Sequence, residues 1–316
     1  MDTRVAELIE VAASDGVLTQ EDVVYLLGFD ECSEEARAMI DSARKIGFKA
    51  ADGRGYIFAQ IGVDALPCPE NCVFCSFAAC NSTREHRDAI VPTEQIVAHA
   101  QVFADAGVDL ISLMATAALP FERYLEIIEA VRATIGIASP LMANVGDLSA
   151  EEASTLAERG VECAYHALRL GEGRLTAIAP EQRLQTLDHI KEAGLKLMCG
   201  VEPLWENAPL DDLSRLIMLQ RELRPFATGA CPLTISEGMA LESGEVPASR
   251  ERVRQVAAIT RLVCGTTVPI GGVGGVAWVD AGTDPRNRGY GSSPEHLKGQ
   301  VAKKRELLRR DGWRIG

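Results

Sequence analysis

Residues 180–202 read PEQRLQTLDHIKEAGLKLMCGVE, a helix-like stretch followed at once by a strand-like one. Apolar residues recur at helical spacing from Pro180 to Ala193, and Gly194 stands where a left-handed residue commonly ends a helix. A short apolar run, Lys196–Glu202, then begins without a linker. This stretch therefore predicts one helix-to-strand unit with a tight connection.

The same unit recurs along most of the chain. Predicted strands are Tyr56–Val63, Asp109–Met114, Leu141–Val145, Cys163–Leu168, Lys196–Glu202, Ala227–Leu233, Val268–Gly272 and a possible eighth at Ala277–Asp280. Predicted helices between them are Thr93–Ala106, Pro120–Ile135, Ser149–Arg159, Pro180–Ala193, Pro209–Leu223 and Ser249–Val263. Alternation at about 30–45 residues is typical of parallel βαβ units. Seven or eight such units predict an α/β fold of the (β/α)8 TIM type.

The ends of the chain differ from this central pattern. Residues 1–54 carry three amphipathic segments, Val5–Ala12, Thr19–Leu27 and Ser33–Ile46, the last ending at Gly47, and we predict an N-terminal helical extension. The barrel is expected over residues 55–290. Residues 291–316 are expected to form a C-terminal helix, Pro294–Arg310, and a tail. A parallel barrel places its active residues at the carboxyl ends of the strands.

Charge and composition exclude several classes of partner. The 316 residues contain 32 Lys and Arg against 45 Asp and Glu, a net charge of −13, and only 5% are aromatic. Such a field repels nucleic acid and anionic membranes. No apolar run approaches the roughly 20 residues that span a bilayer. The first ten residues resemble neither a signal nor a transit peptide. We therefore expect a cytoplasmic protein that binds neither nucleic acid nor membrane.

Three of the nine cysteines lie in one short segment. LPCPENCVFCSF, residues 66–77, contains Cys68, Cys72 and Cys75 in a C-x3-C-x2-C arrangement directly after the first predicted strand. Three thiolates on one loop can bind a metal centre. Structural zinc normally takes four ligands, and so does a typical [4Fe–4S] cluster. Cys80 is a possible fourth ligand, and the alternative is an iron open to a non-protein ligand.

This motif, at the first strand of a barrel, resembles the signature of radical S-adenosylmethionine enzymes. The form CPENC and the N-terminal helices resemble the biotin synthase-like branch, which includes biotin synthase, HydE, PylB and HmdB. Within that branch the chain is most similar to HmdB, through Ser112–Glu122, Leu141–Asp147, Tyr165–Gly173, Pro180–Thr186, Glu192–Pro203 and Gly282–Asn287. It departs from the HmdB pattern after the fifth strand, where it reads LWENAP, residues 204–209.

The resemblance implies both the cofactors and the reaction. Cys68, Cys72 and Cys75 are expected to hold a [4Fe–4S] cluster whose open iron binds S-adenosylmethionine. Reductive cleavage then yields a 5′-deoxyadenosyl radical, which abstracts hydrogen from a small organic substrate. A reductant such as flavodoxin or ferredoxin is the implied partner. The HmdB resemblance implies maturation of a cofactor of the [Fe]-hydrogenase iron-guanylylpyridinol type.

Further site residues are assigned by the same resemblance and by their chemistry. Phe74 is expected beside the adenine, the Thr116 hydroxyl near the methionine amino group, and Asn144 as a polar contact. The planar fork of Arg169 suits a carboxylate, and Glu172 suits the ribose hydroxyls. The predicted catalytic or substrate-binding carboxylates are Glu202 and Glu237, although a salt bridge from Glu202 to Arg169 or Arg183 is equally compatible with the sequence.

Several alternatives stay open at this point. Within the enzyme class they are biotin synthase-like sulfur insertion and a PylB-like mutase. Outside it, the chain would be an iron–sulfur electron-transfer or binding protein, which is the expectation if Cys80 completes the cluster. The other candidate ligands of a possible auxiliary iron–sulfur cluster are Cys163, Cys199 and Cys231, although free buried cysteine is also common packing.

Overall fold

The computed structural model describes residues 1–81, 90–235, 239, 244–282 and 293–316. In this part of the chain the strands are β1 (Tyr56–Gly62), β2 (Leu110–Met114), β3 (Leu141–Asn144), β4 (Cys163–Tyr165), β5 (Lys196–Leu204), β6 (Ala227–Pro232), β7 (Ile270–Gly271) and β8 (Val276–Gly282). Each lies within two residues of its predicted start. The possible eighth strand is confirmed and is longer than predicted.

All strand pairs are parallel, in the order β7-β6-β5-β4-β3-β2-β1-β8. β8 pairs with β1 along seven residues, from Tyr56 opposite Val276 to Gly62 opposite Gly282. The sheet thereby curls into a barrel, and in the described part of the chain only β7 and β8 are left without a shared ladder. The predicted (β/α)8 TIM-type fold is confirmed.

Helices surround the barrel and extend it at both ends of the chain. They are α1 (Thr3–Ala13), α2 (Gln20–Leu27), α3 (Glu34–Ala50), α4 (Thr93–Asp105), α5 (Phe121–Ile135), α6 (Ala150–Glu158), α7 (Pro180–Glu192), α8 (Leu210–Leu223), α9 (Arg250–Cys264) and α10 (Pro294–Arg310). The N-terminal helices pack on α8 and α9. No helix in the described ranges is long and apolar enough to cross a membrane. The domain boundaries stay predictions, and residue 290 lies outside the described residues.

The predicted end of α3 at Gly47 is wrong, because the helix continues to Ala50. Gly47 is buried inside the helix, where an added Cβ would lie 3.6 Å from both Arg261 Nε and the Gly271 carbonyl oxygen. The glycine allows the helix to approach the barrel closely. Its position therefore reflects packing between elements and not a helix stop.

Alternation along the strands separates the apolar core of the lumen from the cores outside it. The lumen core contains Phe58, Leu110, Met142, Cys163 and Met198. Two further clusters lie between the sheet and its helices, and Ala164 belongs to one of them. The sequence left open which face of β4 points inward. Cys163 and Tyr165 face the lumen, and the following His166 is buried outside it.

Glycines and one buried arginine shape the edge of the sheet at β7. Gly271 has φ +103°, and a Cβ there would lie 1.8 Å from the carbonyl oxygen of Thr228. Arg261, fully buried, donates to the carbonyls of Gly265, Val268 and Gly271. The glycine-rich run from residue 271 to 275 thus allows the close backbone packing at this edge of the sheet.

Tyr124 fixes α5 to the strand that ends at the predicted cofactor site. Its buried hydroxyl donates to the Leu113 carbonyl at 2.8 Å. Tyr124→Phe removes this bond and leaves the carbonyl without that donor, so we expect a loss of about 1 kcal/mol in the free energy of unfolding. Urea unfolding with an unchanged m-value measures this loss. An unaltered free energy would contradict the role given to the hydroxyl.

Candidate functional site

A cavity of about 310 Å³ opens at the carboxyl ends of β1 to β6. Eight of the ten predicted site residues line it, namely Cys68, Cys72, Phe74, Cys75, Thr116, Asn144, Arg169 and Glu202. Glu172 does not line this cavity, and Glu237 lies outside the described residues. The barrel therefore brings the cysteine motif and the strand-end residues to one place.

The cysteine loop is held by backbone bonds to the segment between β4 and α7. Val73 N–H donates to the Leu175 carbonyl, and Ala177 N–H donates to the Glu70 carbonyl, both at 2.9 Å. The Asn81 side chain donates to the carbonyls of Val73 and Cys75. The loop that carries the cysteines is thus built against the loop that carries Arg169.

Cys72 is buried, and Cys68 and Cys75 are partly buried. Burial raises the pKa of all three thiols, and that of Cys72 to about 12. Groups with such pKa values stay protonated at neutral pH unless a cation displaces the proton. In the described part of the chain no group of three His, Cys, Asp or Glu side chains is arranged to hold a single metal ion.

Cys80 differs from the three motif cysteines. It is exposed, and its backbone N–H donates to Asn71 Oδ1 at 2.9 Å. It does not line the cavity. This placement favours a metal cluster with three protein ligands over one with four.

Arg169 is a cation of the cavity wall with spare hydrogen-bonding capacity. Its Nε lies 3.8 Å from Glu202 Oε1, and its buried Nη1 has no hydrogen-bond partner among the described residues. Burial would lower the pKa of Arg169, but the neighbouring charges, of which that of Glu202 is the largest, together outweigh burial and raise the pKa. Tyr165, on the neighbouring strand β4, donates its hydroxyl proton to Glu202. A guanidinium with one buried, free N–H is suited to an anionic ligand group.

Thr116 is supported by an acid that the sequence analysis missed. Asp64, 1% exposed, accepts hydrogen bonds from Thr116 N–H at 2.8 Å and from its hydroxyl at 2.6 Å. The hydroxyl proton therefore points to Asp64, and its lone pairs can accept from a donor in the cavity. The available signal was position, since Asp64 stands at the carboxyl end of the first strand. Asn144 Nδ2 lies 3.5 Å from Gln60 Oε1.

Glu172 is placed differently from the expectation. One carboxylate oxygen accepts from the Thr176 hydroxyl, and the other accepts from Arg169 N–H at 3.1 Å. The side chain is 2% exposed and pairs with Arg183, whose Nε is 3.4 Å away. Its bonds are internal to the loop after β4. The structure thus places Glu172 outside the wall of the cavity, and its predicted contact with ribose hydroxyls stays a prediction.

Arg183 joins three loops around the cavity, although the sequence suggested it only as a partner for Glu202. It is 1% exposed, and its two terminal nitrogens donate to Asp147 and Glu70, each at 2.9 Å. His166 Nε2 lies 3.0 Å from the same Asp147 oxygen. The helical pattern of residues 180–193 does not show whether its one arginine turns inward, so only the structure reveals this network.

Asp147 makes this network sensitive to acid. Burial would raise its pKa, but the hydrogen bond from His166 and the charge of Arg183 lower the pKa to about 2 from 3.8. A carboxylate with a depressed pKa stabilises the fold above its unfolded pKa and loses that contribution as the pH falls through its folded pKa. We expect Asp147→Asn to lower the free energy of unfolding by about 2 kcal/mol at pH 7. The difference from wild type should shrink between pH 4 and pH 2.

Urea unfolding of both proteins from pH 7 downward checks this prediction. A difference that stays constant as the pH falls would show that the Asp147 charge does not carry the effect.

The remaining cysteines do not assemble a second centre in the described residues. Cys199 turns away from the lumen toward α8, where Gln220 donates to its sulfur at 3.4 Å. Cys163 packs in the lumen core. Cys231 lies beside Glu202 and is exposed. These three side chains thus lie in different surroundings, and the possible auxiliary cluster stays a prediction.

Known proteins resemble the chain in sequence and in fold. No protein-family model matches it. Biotin synthase of Oleidesulfovibrio alaskensis is 29% identical over 198 residues, covering 60% of each chain. Biotin synthase of Halorhodospira halophila is 31% identical over 209 residues, covering 64% of each. The matched region thus spans less than two thirds of these relatives' length.

Solved structures share the fold over a longer stretch. Methylornithine synthase (PylB) superposes with a TM-score of 0.79, covering 98% of this chain and 97% of that one at 15% identity. The FeFe-hydrogenase maturase HydG from Carboxydothermus hydrogenoformans gives 0.76, covering 99% and 79% at 17% identity. At these identities the likeness concerns the fold.

Proposed function

We propose that this chain is an enzyme of the biotin synthase-like radical S-adenosylmethionine kind, and its similarity to two biotin synthases supports this. It reductively cleaves S-adenosylmethionine and abstracts hydrogen from a small organic substrate. The observation that carries the proposal is one cavity lined both by the three cysteines of the motif and by an arginine whose buried Nη1 has no hydrogen-bond partner among the described residues.

The cysteines, Arg169 and Thr116 have distinct roles in binding the cluster and S-adenosylmethionine. Cys68, Cys72 and Cys75 hold a [4Fe–4S] cluster, which when bound supplies the electron for cleavage. Arg169 binds the methionyl carboxylate through its unpartnered nitrogen. The Thr116 hydroxyl, oriented by Asp64, accepts from the methionyl amine.

Other residues shape the rest of the cavity. Phe74 packs at the adenine, Asn144 supplies a polar contact, and Glu202 faces the substrate. The enclosing walls keep water from the reacting groups. A catalytic role for Glu237 also remains part of the proposal.

The finer assignment is cofactor maturation of the HmdB type. This assignment is supported by two of the segments that resemble HmdB, Ser112–Glu122 and Tyr165–Gly173. They contain Met114, Thr116 and Arg169, and all three of these residues line the cavity. A reductant such as flavodoxin or ferredoxin, a cytoplasmic location and the absence of nucleic-acid partners belong to the same proposal. The second candidate is sulfur insertion, which the sequence similarity to biotin synthase favours.

The test is an anaerobic turnover experiment. The full chain is reconstituted with iron and sulfide, mixed with S-adenosylmethionine and dithionite, and assayed for 5′-deoxyadenosine. Formation of 5′-deoxyadenosine, with about four irons per chain, is the expected result. A well-loaded cluster that yields none would overturn the proposal in favour of an iron–sulfur electron-transfer or binding protein.

A further inference from the structure

The charged residue inside the cysteine motif has a role that the cofactor chemistry does not assign. We infer that Glu70 is a positioning residue, which fixes the cysteine loop to α7 through Arg183 so that the three thiols are held at set positions. The inference rests on the proposed function only in taking those thiols as cluster ligands.

Glu70 is the single charged side chain between Cys68 and Cys75. Its carboxylate accepts from Arg183 Nη2 at 2.9 Å, across 113 positions of sequence. Its backbone carbonyl accepts from Ala177 N–H, three residues before α7 begins. The middle of the cysteine loop is thus tied to one neighbouring element through both main chain and side chain.

The space for the Glu70 carboxylate is left by a glycine in the loop after β3. A Cβ added at Gly146 would lie 3.0 Å from Glu70 Oε1 and 2.8 Å from the Cβ of Ala117. Any larger residue at position 146 would press on the Glu70 carboxylate. The absence of a side chain there leaves the space that the ion pair occupies.

Arg183 makes the connection to the cysteine loop rigid, because its other contacts prevent it from moving with that loop. It is 1% exposed, and Asp147 and Glu172 hold it from two other loops. Because Asp147 and Glu172 already hold the guanidinium, the N–H group that faces Glu70 points in one fixed direction. Movement of the cysteine loop therefore requires the loss of a charge-assisted hydrogen bond that is largely shielded from water.

This arrangement has a consequence for a bound cluster. Outer groups that orient metal ligands typically contribute about 10- to 100-fold in metal affinity. A loop that is already in position removes the cost of ordering it when the cluster binds.

Glu70→Gln in the full chain is the central variant, because it keeps the shape and removes the charge. Glu126→Gln is the matched control, since it breaks an exposed ion pair with Arg123 on α5. We expect iron release to a chelator from the reconstituted protein to be about tenfold faster in Glu70→Gln and unchanged in the control. Glu70→Asp, which keeps the charge, should recover part of the difference. The electron paramagnetic resonance spectrum of the reduced cluster should shift in Glu70→Gln alone.

A second measurement needs no cluster. Hydrogen exchange in the metal-free chain should be faster at the Val73 and Ala177 amides of Glu70→Gln and unchanged there in Glu126→Gln. Unchanged exchange, together with wild-type iron release and an unshifted spectrum, would overturn the inference. Failure to form 5′-deoxyadenosine would overturn the proposed function. Iron release, the spectrum and amide exchange would still test the role of Glu70. If no variant or wild type retains iron, amide exchange alone decides.

Discussion

Replacement of Cys72 by alanine is expected to abolish 5′-deoxyadenosine formation, with a loss of more than about 1,000-fold. Cys72 is the middle ligand of the motif and is 7% exposed. It is near Cys75, near Arg169 and in the wall of the cavity. No other described cysteine is placed to take over, because Cys80 faces solvent and Cys199 faces α8.

The measurement compares iron content and 5′-deoxyadenosine yield after anaerobic reconstitution. Cys80→Ala is the matched control, since Cys80 belongs to the same segment but lies outside the cavity wall, and it should retain both. Cys199→Ala should likewise retain cofactor cleavage. Loss of the cluster in Cys80→Ala as well as in Cys72→Ala would make Cys80 a fourth ligand and leave no open iron.

Arg169→Gln is expected to weaken S-adenosylmethionine binding by about 100-fold, or ~3 kcal/mol. Two effects combine. The ligand carboxylate loses a charge-assisted partner, and Glu202, 3.8 Å away, loses its cation while still accepting from Tyr165. Titration of the reduced cluster with S-adenosylmethionine, followed by its electron paramagnetic resonance signal, gives the dissociation constant.

Arg169→Lys separates charge from geometry. Lysine restores a positive charge but not the planar fork, so it should recover only part of the affinity. Glu126→Gln again serves as a neutral surface control. Affinity unchanged in Arg169→Gln would assign the ligand carboxylate to another cation, and Arg183 is the one that lines the same cavity.

The strands and helices were largely predictable, because each apolar run is short and each connection carries a glycine or proline. The cysteine loop was predictable for a similar reason, since all three residues lie within one segment of sequence. Its position after β1 followed from the barrel rule that active residues gather at the carboxyl ends of strands.

What sequence could not give was the direction of side chains whose partners come from distant loops. Arg183 pairs with Glu70 from 113 positions away, and Asp64 meets Thr116 from 52 positions away. Glu172 has the right chemistry for a ligand, but Thr176 of its own loop and Arg183 of α7 hold its carboxylate. Local pattern identifies the type of residue at a strand end and leaves its partner undetermined.

The unpaired edges of β7 and β8 give the barrel a property that a fully closed one lacks. At the other seven junctions the circumference is set by backbone ladders, so widening there would break several hydrogen bonds. Between β7 and β8 no ladder bond joins the strands, and the backbone of residues 272–275 makes the connection. A change in the width of the lumen at this junction would therefore break no ladder bond, and the length of that four-residue connection sets its limit.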